Sequence, residues 1–218
     1  MKKGITPQEA AELIPDGAVL MIGGFMGAGS PHRIIDALVE AGRKNLTVIA
    51  NDTAKPGYGI GKLITAGAIS RLIASHIGLN PETQKAMIEG KIDVLLTPQG
   101  TLAEQIRSGG FGLGGVLTRT GVGTIAAKGM RTIDIDGEEW LLAPPLKADF
   151  ALIHSDRSDY NGNLCYQMTS TNFNPIMATA AAVVIVEPRE ITPVGLIPPD
   201  DVTTPGVLIN YIIRRGQS

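Results

Sequence analysis

The stretch Asp16-Gly17-Ala18-Val19-Leu20-Met21-Ile22-Gly23-Gly24-Phe25-Met26-Gly27-Ala28-Gly29-Ser30-Pro31 decides how the rest of this 218-residue chain is read. Ala18 to Ile22 is a short apolar run, long enough for a buried strand and too short for most helices. Gly23, Gly24, Gly27 and Gly29 follow, and glycine lets a backbone take positive φ and come close to a ligand. Ser30 suits an N-cap and Pro31 the first helical position. The stretch reads as strand, turn and helix start. The free N–H groups of that start are expected to face the turn, where they can hold a phosphate, a carboxylate or a developing oxyanion.

Working outward, Thr6-Pro7-Gln8-Glu9 matches a capping box for a short helix through Leu13. The helix from Pro31 carries Ile34, Ile35, Leu38 and Val39 on one face and stops near Gly42. Leu46 to Ala50 is a second buried strand, so strand, helix and strand form a βαβ unit with parallel pairing. The order then repeats. A short helix spans Ile60 to Ala66 and a strand Arg71 to Ser75. Asn80-Pro81-Glu82 caps a helix to about Glu89, a strand spans Asp93 to Leu96, and a helix spans Thr101 to Arg107. Gly109 to Gly115 is a second glycine-rich loop. Thr132 to Ile135 and Glu139 to Leu142 flank Asp136-Gly137, a hairpin signal. Further strands are expected at Asp149 to His154, Val183 to Val186 and Val207 to Ile213, with an alanine-rich helix from Asn174-Pro175 to about Ala181. The fold class is α/β: a doubly wound, three-layer α/β/α arrangement on an open, mostly parallel sheet, with an inserted antiparallel hairpin. One domain over residues 1–218 is the simplest organisation.

Lys and Arg number 19 against 21 Asp and Glu. This near-neutral balance argues against nucleic acid, which demands a basic face. Cys165 is alone, which excludes an internal disulfide and fits a reducing, cytoplasmic setting. No apolar signal-peptide core follows Met1-Lys2-Lys3-Gly4, and no apolar run reaches the roughly 18 residues of a membrane span.

In open parallel sheets ligands bind at the carboxyl ends of the strands. Three loops leave expected strand ends there: Gly23 to Ser30, Asn51-Asp52-Thr53 and Thr97 to Thr101. The first does not fit the dinucleotide fingerprint, and its glycines also suit tight turns for close packing. Asn51 and Asp52 suit an Asx turn as well as a site. Gln99 carries an amide that can donate to a carboxylate or acyl oxygen. Nucleophiles are poor: Cys165 sits in an apolar stretch, and His32, His76 and His154 have no metal or triad spacing. Glu104 and Arg107 read as a local helix ion pair. Glu187 ends a buried strand with no partner evident in the sequence. Together these residues describe half a site.

Gly23-Gly24-Phe25, with Gly29 and Pro31 behind it, resembles the signature of family I coenzyme A transferases in their alpha subunit. Asn51-Asp52-Thr53, the segment from Ser75-His76 to Thr83, Pro98-Gln99-Gly100, Gly109 to Gly115, Asn172-Phe173-Asn174-Pro175 and Thr204-Pro205-Gly206 resemble family segments in the same order. The likeness is nearest to the acetate and butyrate–acetoacetate type. It implies transfer of coenzyme A from a short-chain acyl-CoA to a free carboxylate through a glutamyl-CoA thioester. The nucleophilic glutamate of the family lies in a Ser-Glu-Asn-Gly motif of the beta subunit, a motif absent from this sequence. The resemblance therefore implies no catalytic nucleophile on this chain, no metal, no tightly bound cofactor and an α2β2 complex in the cytoplasm. By the same resemblance Gly24, Phe25, Met26, Gly27, Ala28, Gly29 and Ser30 contact coenzyme A, and Asn51 and Gln99 contact the acid. A stand-alone phosphate-binding isomerase or hydrolase and a non-catalytic small-acid sensor are the competing expectations.

Overall fold

Successive residues of the inner strands face opposite cores, and this alternation builds three layers. The structure, a computed structural model, describes residues 1–214. Among these the chain runs through β1 (Lys3–Ile5), α1 (Pro7–Leu13), β2 (Val19–Ile22), α2 (His32–Glu40), β3 (Leu46–Asp52) and α3 (Gly61–Thr65). It continues through β4 (Ile69–His76), α4 (Pro81–Ile88), β5 (Asp93–Leu96), α5 (Gln99–Gly110), β6 (Val116–Thr118), β7 (Arg131–Ile135) and β8 (Glu138–Ala143). Then follow β9 (Ala148–Asp159), β10 (Leu164–Cys165), α6 (Asn174–Met177), β11 (Ala181–Thr192) and β12 (Tyr211–Ile213).

The main sheet has the order β1-β12-β11-β9-β2-β3-β4-β5, parallel throughout that path, with β10 antiparallel on β9. Leu20 and Ile22 of β2 pack with Ile34, Ile35 and Leu38 of α2 in one core, while Met21 joins Leu102 and Ile106 of α5 in the other. Burial on both faces explains the unbroken apolar runs of these strands. Each such fully buried side chain contributes about 1.5–3 kcal/mol. From β2 the chain steps outward to β5, then returns to the other side of β2 and steps outward again to β12. The order therefore reverses between β2 and β9, where crevices form in such sheets.

Several expected elements differ in extent. The hairpin is present, with Asp136 and Gly137 at φ 55° and 78° as a tight turn of this hand requires. It lies in a sheet of its own, order β6-β8-β7. β11 runs past Val186 to Thr192 because its ladder on β9 continues to Asp159. Pro188 is tolerated there because β12 pairs β11 only at Ile185 and Val186, leaving that side open. Gly109 and Gly110 belong to the last turn of α5, not to a loop, since a side chain at either would overlap Leu146 or Thr179. α6 ends at Met177, well short of Ala181, and β12 starts at Tyr211 because residues 206–208 form a short 3-10 turn. β1 had no clear signal; it pairs β12 at the sheet edge.

Candidate functional site

The loop after β2 sits at the reversal point of the sheet, and its own chain fills the crevice there. Gly24 N donates to Asn172 Oδ1 at 3.2 Å and Met26 N to Asp52 Oδ2 at 2.8 Å. Phe25 and Ala28 exchange backbone hydrogen bonds, and Ser30 N donates to Gly27 O. Asn174 Nδ2 donates to Gly29 O at 3.0 Å, while Asn174 Oδ1 accepts from His154 N on β9. The segment 170–174 thus clamps the loop. Gly29 is required because a Cβ there would lie 2.7 Å from the Ser170 Cα, and a side chain on Gly24 would overlap Ser30. Close approach is the reason for these glycines, and the approaching segment belongs to this chain.

The expected anion site at the start of α2 is corrected by the same geometry. The N-cap is Pro31, not Ser30, and no side chain of the loop caps the helix. Ser30 Oγ instead donates to Gly23 O. The N–H groups of Arg33 and Ile34 donate to Glu187 Oε1 and Oε2 at 3.2 and 3.0 Å, and Arg33 Nε lies 3.4 Å from the same carboxylate. Glu187 therefore has a partner after all: from β11 it supplies the negative charge that a helix N-terminus favours. Within the loop, Gly27 and Gly29 keep N–H groups with no acceptor among the described residues. His32 Nε2 lies 3.1 Å from Gly27 O, and its ring packs on Tyr58.

Beside this closed region lies an open one. Asn51 and Asp52 end β3, Ser75 and His76 end β4, and Gln99 follows β5 as the first residue of α5. They meet Phe25, Met26 and Leu79 around a cleft of about 330 Å³. Gln99 Nε2 donates to Asn51 Oδ1 at 2.6 Å, and Ser75 Oγ reaches the same oxygen at 3.2 Å. Asn51 Nδ2 donates to Asp52 Oδ2 at 3.0 Å. The order of these bonds fixes the amides. Asp52 accepts only, so Asn51 turns its NH2 toward it and its oxygen toward Gln99, and Gln99 must present its own NH2. Gln99 is exposed and retains its oxygen and one further N–H for a ligand. The N–H groups of Gly100 and Thr101, in the first turn of α5, have no acceptor among the described residues, and Pro98 at the N-cap supplies none. Asp52 Oδ1 accepts from Ala54 N at 2.7 Å, the Asx turn expected of this segment.

The remaining candidates fall where packing puts them. Cys165 is buried. Arg107 donates twice to Glu104 Oε2, at 2.8 and 2.6 Å, in a larger hollow of about 530 Å³ between α5 and β6. Its charged side chains answer each other, which leaves it without a free charge to aim at a ligand. Burial lowers the affinity of His154 for a proton, with Asp156 and Glu187 acting in the opposite sense. Sequence reasoning missed the clamps Asn172 and Asn174, for which the Asn-x-Asn-Pro turn was the available signal, and the cap Glu187, for which there was none. No cluster of metal-ligating side chains occurs among the described residues.

This arrangement can be set beside known proteins. A sequence model of the family described as coenzyme A transferase matches residues 5–215. The chain belongs to the coenzyme A transferase family. The transferase chain is 53% identical over 216 residues to the acetate CoA-transferase subunit alpha of Escherichia coli K12, covering 99% of this chain and 98% of that protein. It is 51% identical over 200 residues to the acetoacetyl-CoA:acetate/butyrate CoA transferase alpha subunit of Clostridium acetobutylicum, covering 92% of each. In fold it is similar to an acyl-CoA transferase from Escherichia coli O157:H7, with TM-score 0.87 and 21% identity over 98% of this chain and 47% of that one. Glutaconate coenzyme A-transferase from Acidaminococcus fermentans shares the fold at TM-score 0.83 and 20% identity, covering 97% of this chain and 75% of that one. Among the described residues the transferase chain has no helix long and apolar enough to cross a membrane.

Proposed function

We propose that this chain is the alpha subunit of a transferase that moves coenzyme A between a short-chain acyl-CoA, such as acetyl-, butyryl- or acetoacetyl-CoA, and a free short-chain carboxylate. One observation carries the reading: the Asn51–Gln99 couple presents oriented amide groups at an open cleft, and no free carboxylate stands beside it. Asp52 is engaged at both oxygens, Glu104 faces Arg107, and Glu187 caps α2. As the family resemblance implies, the attacking glutamate comes from a beta subunit, in an α2β2 complex in the cytoplasm; the engaged carboxylates of this chain are consistent with that division.

In this mechanism the beta-chain carboxylate attacks the thioester carbonyl. The C–S bond breaks, coenzyme A leaves as thiolate, and an acyl-glutamyl anhydride remains. The thiolate attacks the glutamyl carbonyl, releasing the first acid and leaving a glutamyl-CoA thioester. The acceptor acid runs the same two steps in reverse and departs as its own CoA thioester. Gln99, steadied by Asn51, donates to the oxygen that gains charge as each carbonyl is attacked. A preorganised donor of this kind contributes about 3 kcal/mol. A neutral amide suits the task, since a cation would hold the free carboxylate as firmly as the transition state. The loop 24–30 faces coenzyme A with the N–H groups of Gly27 and Gly29. The thioester is a substrate, and the chain works as one domain over its length.

The test is an assay of coenzyme A exchange between acetyl-CoA and butyrate. The chain alone is expected to be inactive. Co-expressed with a beta chain carrying Ser-Glu-Asn-Gly, it is expected to turn over. Exchange by the chain alone, or none by the assembled complex, rejects the reading.

A further inference from the structure

We infer that Phe25, Met26 and Leu79 form the wall against which the tail of the transferred acid lies, and that this wall limits the length of the tail and selects against a second charge on it. The inference rests on the function proposed above and adds its specificity-determining residues.

The cleft is lined by two unlike sets of groups. Asn51 and Gln99 offer amide groups to a carboxyl or thioester oxygen. In the same lining, Phe25, Met26 and Leu79 are 39%, 42% and 41% exposed. Large apolar side chains left half open around one small cleft mark a surface meant to be covered. Each is held there by its backbone. Phe25 is locked by its exchange of hydrogen bonds with Ala28, and Met26, at φ 52°, by its N–H to Asp52. Leu79 lies in the turn between β4 and α4, beside Asn80, which caps α4 through the N–H groups of Glu82 and Thr83. That turn has no need of a leucine, and Leu79 belongs to neither buried core.

Charge narrows the choice further. No lysine or arginine lines the cleft. Its basic member, His76, turns its ring back over Gly78, where a Cβ would stand 2.8 Å from Nε2. A second carboxylate on the acid would lie against apolar side chains without a counter-ion and near Asp52, which is unfavourable. An uncharged tail fits these conditions, and a dicarboxylic acid does not.

The experiment compares kcat/KM for acetate, butyrate, hexanoate and succinate in the complex with its beta subunit. Leu79→Ala is expected to raise the hexanoate-to-acetate ratio about tenfold, the lower range for a methylene-sized change in a pocket. Leu79→Arg is expected to raise the succinate-to-butyrate ratio by a similar factor. A merely structural Leu79 would lower all four acids together. If a Leu79 variant does not assemble, Phe25→Ala gives the same reading on the hexanoate ratio. An active complex whose ratios do not move overturns the wall alone. A complex without exchange on any acid overturns the function and the wall with it.

Discussion

Two helices start at the carboxyl edge of the main sheet, and they treat their first N–H groups in opposite ways. At α2 the groups of Arg33 and Ile34 are taken by the Glu187 carboxylate, and the glycine loop ahead of them is clamped by Asn172, Asn174 and Asp52. At α5 the groups of Gly100 and Thr101 have no acceptor among the described residues, and Gln99 stands exposed beside Asn51. The first region has the glycines that suggest a ligand, yet its own chain occupies the space they open. The second has an ordinary Thr-Pro-Gln-Gly turn and the open cleft. Glycine content reports how near something comes, and here the thing that comes near is mostly segment 170–174. The crevice expected at the reversal of strand order is filled between β2 and β9 by the chain itself, and the open cleft lies beside it toward β3, β4 and β5.

The contrast breaks first at Gln99. Gln99→Ala in the complex is expected to lower kcat about a hundredfold, the size of losing one preorganised donor. Steady-state kinetics on acetyl-CoA and butyrate read this, and an unchanged kcat would remove the start of α5 from the chemistry. Glu187→Ala tests the sealed side. It strips two N–H groups and Arg33 of their carboxylate, and a loss of about 2–3 kcal/mol in stability is expected. Denaturant midpoints measure it. Glu187→Gln, which keeps an acceptor at the helix, is expected to lose less; equal losses would mean that packing, not the cap, holds the junction.

The smallest effect concerns pH. Burial holds His154 below the ordinary histidine value of 6.5, so the unfolded chain takes up the proton more readily than the folded one. Stability from this group is full above 6.5 and declines as pH falls toward the lower folded value. Because His154 N anchors Asn174, this sensitivity belongs to the sealed side. Melting temperature is expected to fall between about pH 7 and pH 5 and to fall less in His154→Gln. Identical slopes in the two proteins would free the sealed side of any acid response.

Local patterns made much of this legible. The capping box at Thr6 and Glu9, the Asn80 cap, the Asp136-Gly137 turn and the Glu104–Arg107 pair involve residues at most four apart, and each forms as read. The pairing of Asn51 with Gln99 spans 48 residues, but both lie at strand ends, where topology alone brings them together. The Asn-x-Asn-Pro turn marks Asn172 and Asn174 as a special segment, but what they and Glu187 clamp was not legible. Asn172 meets Gly24 across 148 residues and Glu187 meets Ile34 across 153. No spacing in the sequence records such a meeting, and an asparagine or glutamate at a loop or strand end has many ordinary uses. The full length of β11 was hidden too, since Pro188 reads as a strand stop unless one knows that its outer side is unpaired.

Those same long separations set a timetable for synthesis. β2 emerges early but lies between β3 and β9, and its loop waits for Asn172, Asn174 and Glu187. At translation rates of about 5–20 residues per second, the interval between Gly24 and Asn172 lasts about 7–30 s. Through that time the helices and strands from β2 to β5 can assemble on the ribosome, but the loop stays without its clamps. A nascent chain stopped before Asn172 would therefore hold much of one core without the clamped loop, so order at this edge of the sheet arrives in one late step rather than growing with length.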